Sequence, residues 1–322
     1  MKFVNTNFLK GVDMNGTLAP RSLEGILRET FAIYKRNFLR LIAIAAIVAV
    51  PFAVVSLIVN LLFPAYGEGA TGALSRAIIT IPLYLAFFAA LILMGGAVVH
   101  AMSEQYFKQP VGIGRAYGFA WRRLGDMFWA VVLVYLAMLG IFLAAILISV
   151  IVYLIIPATI GGTADWLIAF AISGMLIFLA APAAIYLGIA WNFMFQTALL
   201  EGCGPRAALS HSSALVKQNW WRVLGIVLLL SSIMTTIYMI LFTPIIMVTI
   251  TQFTSGAITG LPTWVMIWVP IGALIGNIIG FPIYTIGETL LYFDLRVRKQ
   301  GYSLDALADE LGLRSTSTDT VA

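Results

Sequence analysis

Charged residues are scarce in this 322-residue chain: Asp, Glu, Lys and Arg together make up 10% of it, against roughly 25% in soluble proteins. Hydrophobic residues make up 61%, and the mean hydropathy is +0.99. This composition excludes an ordinary soluble globular protein and indicates an integral membrane protein. Cysteine is nearly absent too, because Cys203 is the only one. A single cysteine excludes an intrachain disulfide, and we interpret it as a small packed thiol.

Motifs for catalysis and cofactor binding are also lacking. The chain has no Walker A loop, no dinucleotide fingerprint and no H-E-x-x-H zinc motif. Two groups come nearest to a site: His100 with Glu104, and Glu201 with Cys203 and His211. The first offers fewer ligands than zinc normally takes, and the second shows no oriented base or oxyanion element. We therefore predict a protein that is not an enzyme, with no catalytic residue, no metal ligand and no cofactor.

Long apolar runs are abundant. Each matches or exceeds the roughly 20 residues that a helix needs to cross about 30 Å of hydrocarbon. None alternates as barrel strands do, and lipid offers no hydrogen-bond partner to an open backbone, so these runs are predicted to be helices. They lie at about residues 41–63, 77–101, 127–157, 166–195, 223–250 and 263–287. The predicted fold is an all-α integral membrane protein with six transmembrane helices.

Basic residues are distributed unevenly between the two sides of these spans. Of the 19 Lys and Arg residues, only Arg76 falls in a loop on the side opposite the termini. Short loops rich in Lys and Arg stay cytoplasmic, so both termini are predicted to face the cytoplasm. The outer loops are short and nearly uncharged, and no extracytoplasmic domain is expected from them.

Three cytoplasmic stretches, one before each odd-numbered span, resemble one another and predict an internal repeat. The middle stretch keeps only Ala120 and Arg123 of the shared pattern. The first and third share five residues at identical spacing, since Leu27, Ala32, Lys35, Asn37 and Arg40 recur as Leu209, Ala214, Lys217, Asn219 and Arg222. Each predicted repeat is an interfacial amphipathic helix followed by a transmembrane hairpin.

The predicted domain organisation follows from these repeats. Residues 1–20 are a cytoplasmic N-terminal segment, and residues 21–300 form the six-span membrane domain. Residues 301–322 are predicted to form a short cytoplasmic helix, capped by Ser303, and a disordered tail. The repeats span about residues 21–109, 110–203 and 204–300.

The first short stretch has the pattern of an amphipathic helix that lies on a membrane surface. Glu24, Arg28, Lys35 and Arg36 fill its polar faces, while apolar residues recur every three or four positions. Those apolar positions are Leu23, Leu27, Phe31, Tyr34, Phe38 and Leu41. In the second stretch, the apolar positions are Ile113, Phe119, Ala120, Leu124 and Phe128.

The net charge of +5 does not indicate nucleic-acid binding, because the basic residues lie beside apolar spans and form no continuous stripe. Attraction to anionic lipid headgroups is the better interpretation. The alternative is a specific headgroup or substrate site that the three helices build together. The candidate headgroup contacts are Lys35, Arg36, Arg40, Arg115, Arg122, Arg123, Lys217 and Arg222.

One polar residue falls deep in a predicted span. Asn277 lies about 20 Å along the sixth helix, where no water satisfies its amide, so it is expected to face protein or a cavity. Its neighbours Gly272, Gly276 and Gly280 form a doubled G-x-x-x-G pattern that lets another helix approach closely. Partners at comparable depth on the fifth span are Ser231, Ser232, Thr235 and Thr236. This group is interpreted as helix packing, with a polar substrate path as the alternative.

Three sequence stretches carry a resemblance to a known family. They contain S-L-x-x-I-L-R-x-T-F followed by K-R-N-F, E-G-x-G-P-x-x-A-L-x-x-S, and Y-F-D-L-R-V-R. Over roughly residues 20–312 the chain resembles the glycerophosphoryl diester phosphodiesterase membrane-domain family and related prokaryotic six-span proteins. In that family hydrolysis belongs to a separate soluble barrel, for which these residues leave no room. The resemblance implies a membrane module in a bacterial or archaeal plasma membrane, without phosphodiesterase activity.

Three functions compete at this point. The leading hypothesis is an accessory or scaffold subunit that binds a partner protein, anionic membrane lipids, or both. The alternative is a lipid or small-solute transporter that uses the polar strip around Asn277, supported by repeats and by prolines within the spans. A membrane enzyme ranks third, because no polar side chains converge within reach of a substrate.

Overall fold

The computed structural model describes residues 21–62, 70–104, 112–160, 165–255, 262–300 and Glu310. These residues are helical almost throughout, and no strand occurs among them. The predicted N-terminal segment (1–20), the helix capped by Ser303 and the C-terminal tail lie outside the described residues, apart from Glu310. The helices are α1 (Leu23–Arg36), α2 (Phe38–Leu62), α3 (Ala70–Glu104), α4 (Ile113–Arg122), α5 (Leu124–Ile160), α6 (Asp165–Ala190), α7 (Met194–Gln196), α8 (Pro205–Val216), α9 (Trp220–Ser255) and α10 (Thr263–Gln300).

Six helical segments in this part of the chain are long and apolar enough to cross a membrane, which confirms the predicted all-α multi-pass fold. They are Phe38–Leu62, Ala77–Glu104, Leu124–Ile155, Trp166–Glu201, Trp220–Ser255 and Thr263–Lys299. The sixth span continues well beyond its predicted end near residue 287. This extension persists because protein buries it: Leu290, Leu291, Tyr292 and Phe293 are inaccessible.

Short helices precede pairs of long ones three times along the chain, in the order that the repeat hypothesis expects. The sequence repeat itself stays a prediction. Each short helix ends at a break of one to three residues. At the first break, the Asn37 side-chain amide and backbone N–H both donate to the Ile33 carbonyl, each at 3.1 Å. This double contact satisfies one of the carbonyl groups that a helix end leaves open.

The described chain divides into two compact units. Unit 1 comprises Met1–Leu124 and Gly225–Ala322, and unit 2 comprises Gly125–Leu224. In unit 1, α10 packs against α1, α2 and α3, and α4 packs against α3. The largest side chains buried there include Ile26, Leu41, Ile44, Met94 and Met102.

The face that α1 buries differs from the predicted apolar face. Ile26, Thr30, Ile33 and Tyr34 are buried, whereas Leu23 and Phe31 are 42% and 38% exposed. The reason is that α1 packs against α10, a contact that its own periodicity does not show. The helix therefore has a face held by protein and, beside it, an apolar stripe that protein leaves open.

Unit 2 contains α6, α7, α8 and nearly all of α5. A π-helical turn, Thr197–Glu201, extends α7, and Gly202 then takes a left-handed conformation with φ of 64°. Ser212 of α8 holds this region together, because its hydroxyl donates to the Ala190 carbonyl at 2.9 Å and accepts from the Phe193 N–H at 3.0 Å. The end of α6 and the second half of α8 are thereby tied together.

Candidate functional site

The predicted headgroup contacts lie at the ends of helices and are mostly exposed. Six of the eight are exposed and two are partly covered, Arg123 and Arg222. Lys217 and Arg222 belong to unit 2, and the other six belong to unit 1. Large apolar side chains are exposed beside them, including Phe38 at 42% and Trp121 at 67%. We call the unit 1 cations Lys35, Arg36, Arg40, Arg115, Arg122 and Arg123 the charged rim.

One member of the charged rim has a buried partner that the sequence did not indicate. Arg115 Nε lies 3.7 Å from Oε1 of Glu104, whose side chain is 1% exposed. His100 Nδ1 lies 4.0 Å from the same oxygen, and the His100 ring rests 4.5 Å from that of Phe119. Glu104 also accepts a hydrogen bond from the backbone of Gly112. Arg115 therefore balances a buried carboxylate that would be costly to leave unpaired.

The glycines of α10 form a shallow groove that side chains of α9 fill. A Cβ atom placed on Gly276 would lie 2.6 Å from Cε1 of Tyr238 and 2.9 Å from its Cζ. A Cβ on Gly280 would lie 2.5 Å from the sulfur of Met234. Gly272 faces Phe242, and Gly287 faces Leu230 in the same way. The α9 residues recur every four positions, so one ridge of α9 lies in one groove of α10.

The polar groups near this groove are bonded mainly within their own helices. The Asn277 amide is half-buried and donates to the Ala273 carbonyl at 2.8 Å. The Ser232 and Thr236 hydroxyls are exposed and donate to carbonyls one turn earlier in α9. Thr235 is also exposed. Ser231 differs, because its side chain forms a hydrogen bond between helices, from α9 to the Tyr284 side chain in α10.

A buried ionic cluster joins the start of α1 to the C-terminal end of α10. The sequence analysis did not predict this cluster. The Arg21 N–H donates to Asp294 Oδ1 at 2.6 Å, and Arg298 Nε donates to Asp294 Oδ2 at 2.9 Å. Arg298 also donates to the Arg21 carbonyl at 2.9 Å, and the Arg21 side chain pairs with Glu29 at 2.5 Å. Asp294 is fully buried. We call Arg21, Glu29, Asp294 and Arg298 the terminal clasp. Its only sequence signal is an acid in an apolar run with Arg four residues later.

In unit 2 the structure brings together the three polar residues of the E-G-C-G-P loop and α8. His211 Nδ1 lies 2.6 Å from Glu201 Oε2, and the Cys203 thiol donates to the Thr197 carbonyl at 3.5 Å. The ligand atoms of Glu201, Cys203 and His211 all lie within 4.8 Å of one another. Beside this loop, an open apolar pocket of about 380 Å³ is lined by Trp129, Leu133, Gly204, Pro205, Arg206 and Ala207.

No family model matches the chain, and comparison with curated proteins and with solved structures also gives no match. The architecture and the geometry of these clusters are therefore the basis for a functional proposal.

Proposed function

We propose that this protein is a non-enzymatic membrane module that binds a partner protein, organises anionic lipid, or does both, at the cytoplasmic leaflet of a prokaryotic plasma membrane. Its resemblance to the glycerophosphoryl diester phosphodiesterase membrane-domain family is part of this proposal. Both termini face the cytoplasm, because nearly all of the basic residues belong to the segments on the side of the termini.

The observation that carries the proposal is the pairing of exposed cations with exposed apolar side chains in the short helices. On α1, Lys35 and Arg36 are exposed, and the stripe of Leu23 and Phe31 is exposed as well. Such a helix inserts its apolar side chains between lipids while its cations contact phosphates. Each cation near an anionic surface contributes about 1 kcal/mol, so the charged rim favours an anionic leaflet.

The acids of unit 1 support a structural role over a chemical one. Asp294, Glu29 and Glu104 each contact an arginine. These contacts favour a scaffold, in which polar groups fix the positions of helices.

The second candidate is a lipid or small-solute transporter. It is favoured by a polar stripe on α10, where Asn277, Tyr284 and Glu288 recur at helical spacing and Tyr284 interacts with both Glu288 and Ser231. The groove of glycines on the same helix is filled by α9, which favours packing over a path. We therefore rank the transporter second.

Native mass spectrometry of the protein, extracted gently from its own membrane, tests these alternatives. Retention of a protein partner at fixed stoichiometry supports the accessory-subunit proposal. Selective retention of anionic lipid without a protein supports lipid organisation. Retention of neither, with a solute taken up by proteoliposomes, would overturn the proposal in favour of transport.

A further inference from the structure

The loop between the π-helical turn and α8 carries three side chains that are good ligands for a transition metal. Glu201 offers a carboxylate, Cys203 a thiolate and His211 an imidazole nitrogen, and zinc takes all three types. We propose that these residues form a binding site for a divalent metal ion of the zinc class. This inference departs from the sequence interpretation, and it is independent of which lipid or partner the protein binds.

The local backbone brings the three ligands to one point. Glu201 is the last residue of the π-helical turn, and insertions of this kind are frequent at functional sites. The left-handed conformation of Gly202 reverses the chain, so Cys203 follows directly beside Glu201. Gly204 and Pro205 then start α8, which carries His211 on its second turn. Two ligands therefore come from one turn and the third from a helix.

The frame around these ligands is held by buried hydrogen bonds. The Thr197 hydroxyl donates to the Ala208 carbonyl at 3.1 Å, which joins the π-helical turn to α8. Ser212, next to His211, is buried and bonds to both Ala190 and Phe193. Such outer contacts orient the ligands of a metal site before the ion arrives.

The distances fit a metal site after small side-chain rotations. Tetrahedral zinc, with bonds of about 2.0–2.3 Å to nitrogen, oxygen and sulfur, places its ligand atoms roughly 3.5 Å apart. The ligand atoms here lie within 4.8 Å of one another, so rotations about side-chain bonds bring them into range. The His211 side chain is 51% exposed, which leaves the fourth position open to water.

The charges also fit. The carboxylate and the thiolate together balance a divalent ion, so binding brings no uncompensated charge to the edge of the membrane-spanning region. A metal ion would replace the hydrogen bond between His211 and Glu201 and would hold the E-G-C-G-P loop to α8 through three residues instead of two.

Cobalt binding tests the proposal, because thiolate coordination to Co²⁺ gives a charge-transfer absorption band that carboxylate and imidazole do not. The protein is purified without a polyhistidine tag, kept reduced, and titrated with Co²⁺ and then Zn²⁺. We expect one ion per chain, a band that Zn²⁺ displaces, and a rise in thermal stability with Zn²⁺. Cys203→Ser should abolish the band. His211→Gln should weaken binding by more than about 10-fold, a loss that even outer partners of metal sites produce.

Ser210→Ala is the matched control, because this residue lies on the same helix beside His211 and offers no ligand in the cluster. It should bind like the wild type. No band in the folded wild type, or a band that persists in Cys203→Ser, would overturn the proposal. If His211→Gln does not elute as a folded species, Glu201→Gln takes its place. Unchanged affinity in the folded variant would equally overturn the site.

Discussion

The backbone N–H of Arg21 donates a 2.6 Å hydrogen bond to Oδ1 of Asp294, a residue 273 positions further along the chain. The second oxygen of the same carboxylate accepts from Arg298, which in turn donates to the Arg21 carbonyl. Asp294 thus connects the segment just before α1 with the last turns of α10. A buried carboxylate with this set of donors holds two distant segments in one geometry.

We expect Asp294→Ala to destabilise the protein strongly. The substitution leaves the Arg21 N–H and the Arg298 Nε–H without their acceptor. Loss of one partner of a buried ion pair costs about 3–5 kcal/mol. Thermal unfolding in detergent measures the effect. The control is Glu24→Ala, which removes an exposed ion pair with Arg28 on α1 and should cost no more than about 0.5 kcal/mol. Equal losses in both variants would contradict the role of the terminal clasp.

Gly276→Ala should destabilise the packing of α9 on α10. The new Cβ would lie 2.6 Å from the rigid Tyr238 ring, and forcing extra atoms into a packed contact costs about 1–3 kcal/mol. Gly280→Ala should cost less, because the facing group is the flexible end of Met234. Thermal unfolding of both variants should show a larger loss of stability for Gly276→Ala than for Gly280→Ala.

Gly225→Ala is the matched control for the glycine series. It lies in α9, and a Cβ there meets nothing within 4 Å, so alanine should be neutral or stabilising by up to about 1 kcal/mol. In the double variant, Tyr238→Leu should restore part of the stability lost in Gly276→Ala. Failure of this rescue would show that the ring is not the obstacle.

Asn277→Leu should leave partner or lipid retention intact. The amide bonds to a carbonyl of its own helix, so its removal disrupts no contact between helices that the structure describes. Native mass spectrometry of the folded variant should show the wild-type pattern of bound lipids and proteins. Loss of a partner in a folded variant would contradict the scaffold proposal, whereas loss of solute uptake with the partner retained would favour a transporter.

Stability at alkaline pH should depend on Tyr117. Burial raises the pKa of Tyr117 to about 12, and its hydroxyl donates to the Ile44 carbonyl at 2.6 Å. An unfolded tyrosine has a pKa of about 10, so the folded state holds this proton more tightly. The contribution of the protonated Tyr117 hydroxyl to folding stability is fully present below about pH 10. It is lost as the pH rises to about 12.

Melting temperatures between about pH 9 and 12 check this prediction. Tyr117→Phe should be less stable than the wild type at neutral pH, because the hydrogen bond is missing, and its stability should fall less steeply in that window. Tyr153→Phe, which changes an exposed ring of α5, should keep the wild-type slope. Identical slopes for all three proteins would show that Tyr117 does not govern the alkaline loss.

Replacing Lys35, Arg36, Arg122 and Arg123 by Glu should weaken the retention of anionic lipid. Each cation contributes about 1 kcal/mol at an anionic surface, so four reversals should lower the retained amount many-fold. The control exchanges the exposed pair on α1, as Glu24→Arg with Arg28→Glu, and leaves the net charge unchanged. Counting bound phospholipids per protein compares the three. Equal counts would indicate that the charged rim is not a lipid surface.

The six spans were predictable because each depends on local composition. A run of about 20 apolar residues has to be helical in lipid, whatever its neighbours are. The break at Asn37 was not predicted, because the apolar periodicity of the first stretch continues through Phe38 and Leu41. Helix α10 continues beyond the predicted apolar run at 263–287, because protein buries the residues after Thr289, and the hydropathy of the sequence does not indicate such packing.

Contacts between distant segments were not predictable from one sequence. Nothing in the pattern around Arg21 indicates Asp294. The periodicity of α1 indicated an apolar stripe with Leu23 and Phe31 toward lipid, but it did not indicate that Ile26 and Thr30 form a second face buried by protein. Ile26 and Thr30 are chosen by packing against α10. The cluster of Glu201, Cys203 and His211 was visible as residue types, but its geometry depends on a π-helical turn and one left-handed glycine.

The terminal clasp has a consequence for biosynthesis. Helix α1 leaves the ribosome early, whereas Asp294 and Arg298 belong to the last helix that the structure describes. Until α10 is made and inserted, the buried face of α1, with Ile26 and Ile33, has no α10 to pack against, and Arg21 lacks its carboxylate. A chain truncated before Asp294 therefore cannot form the terminal clasp. Its α1 keeps an exposed apolar face that the cell's proteases and chaperones recognise.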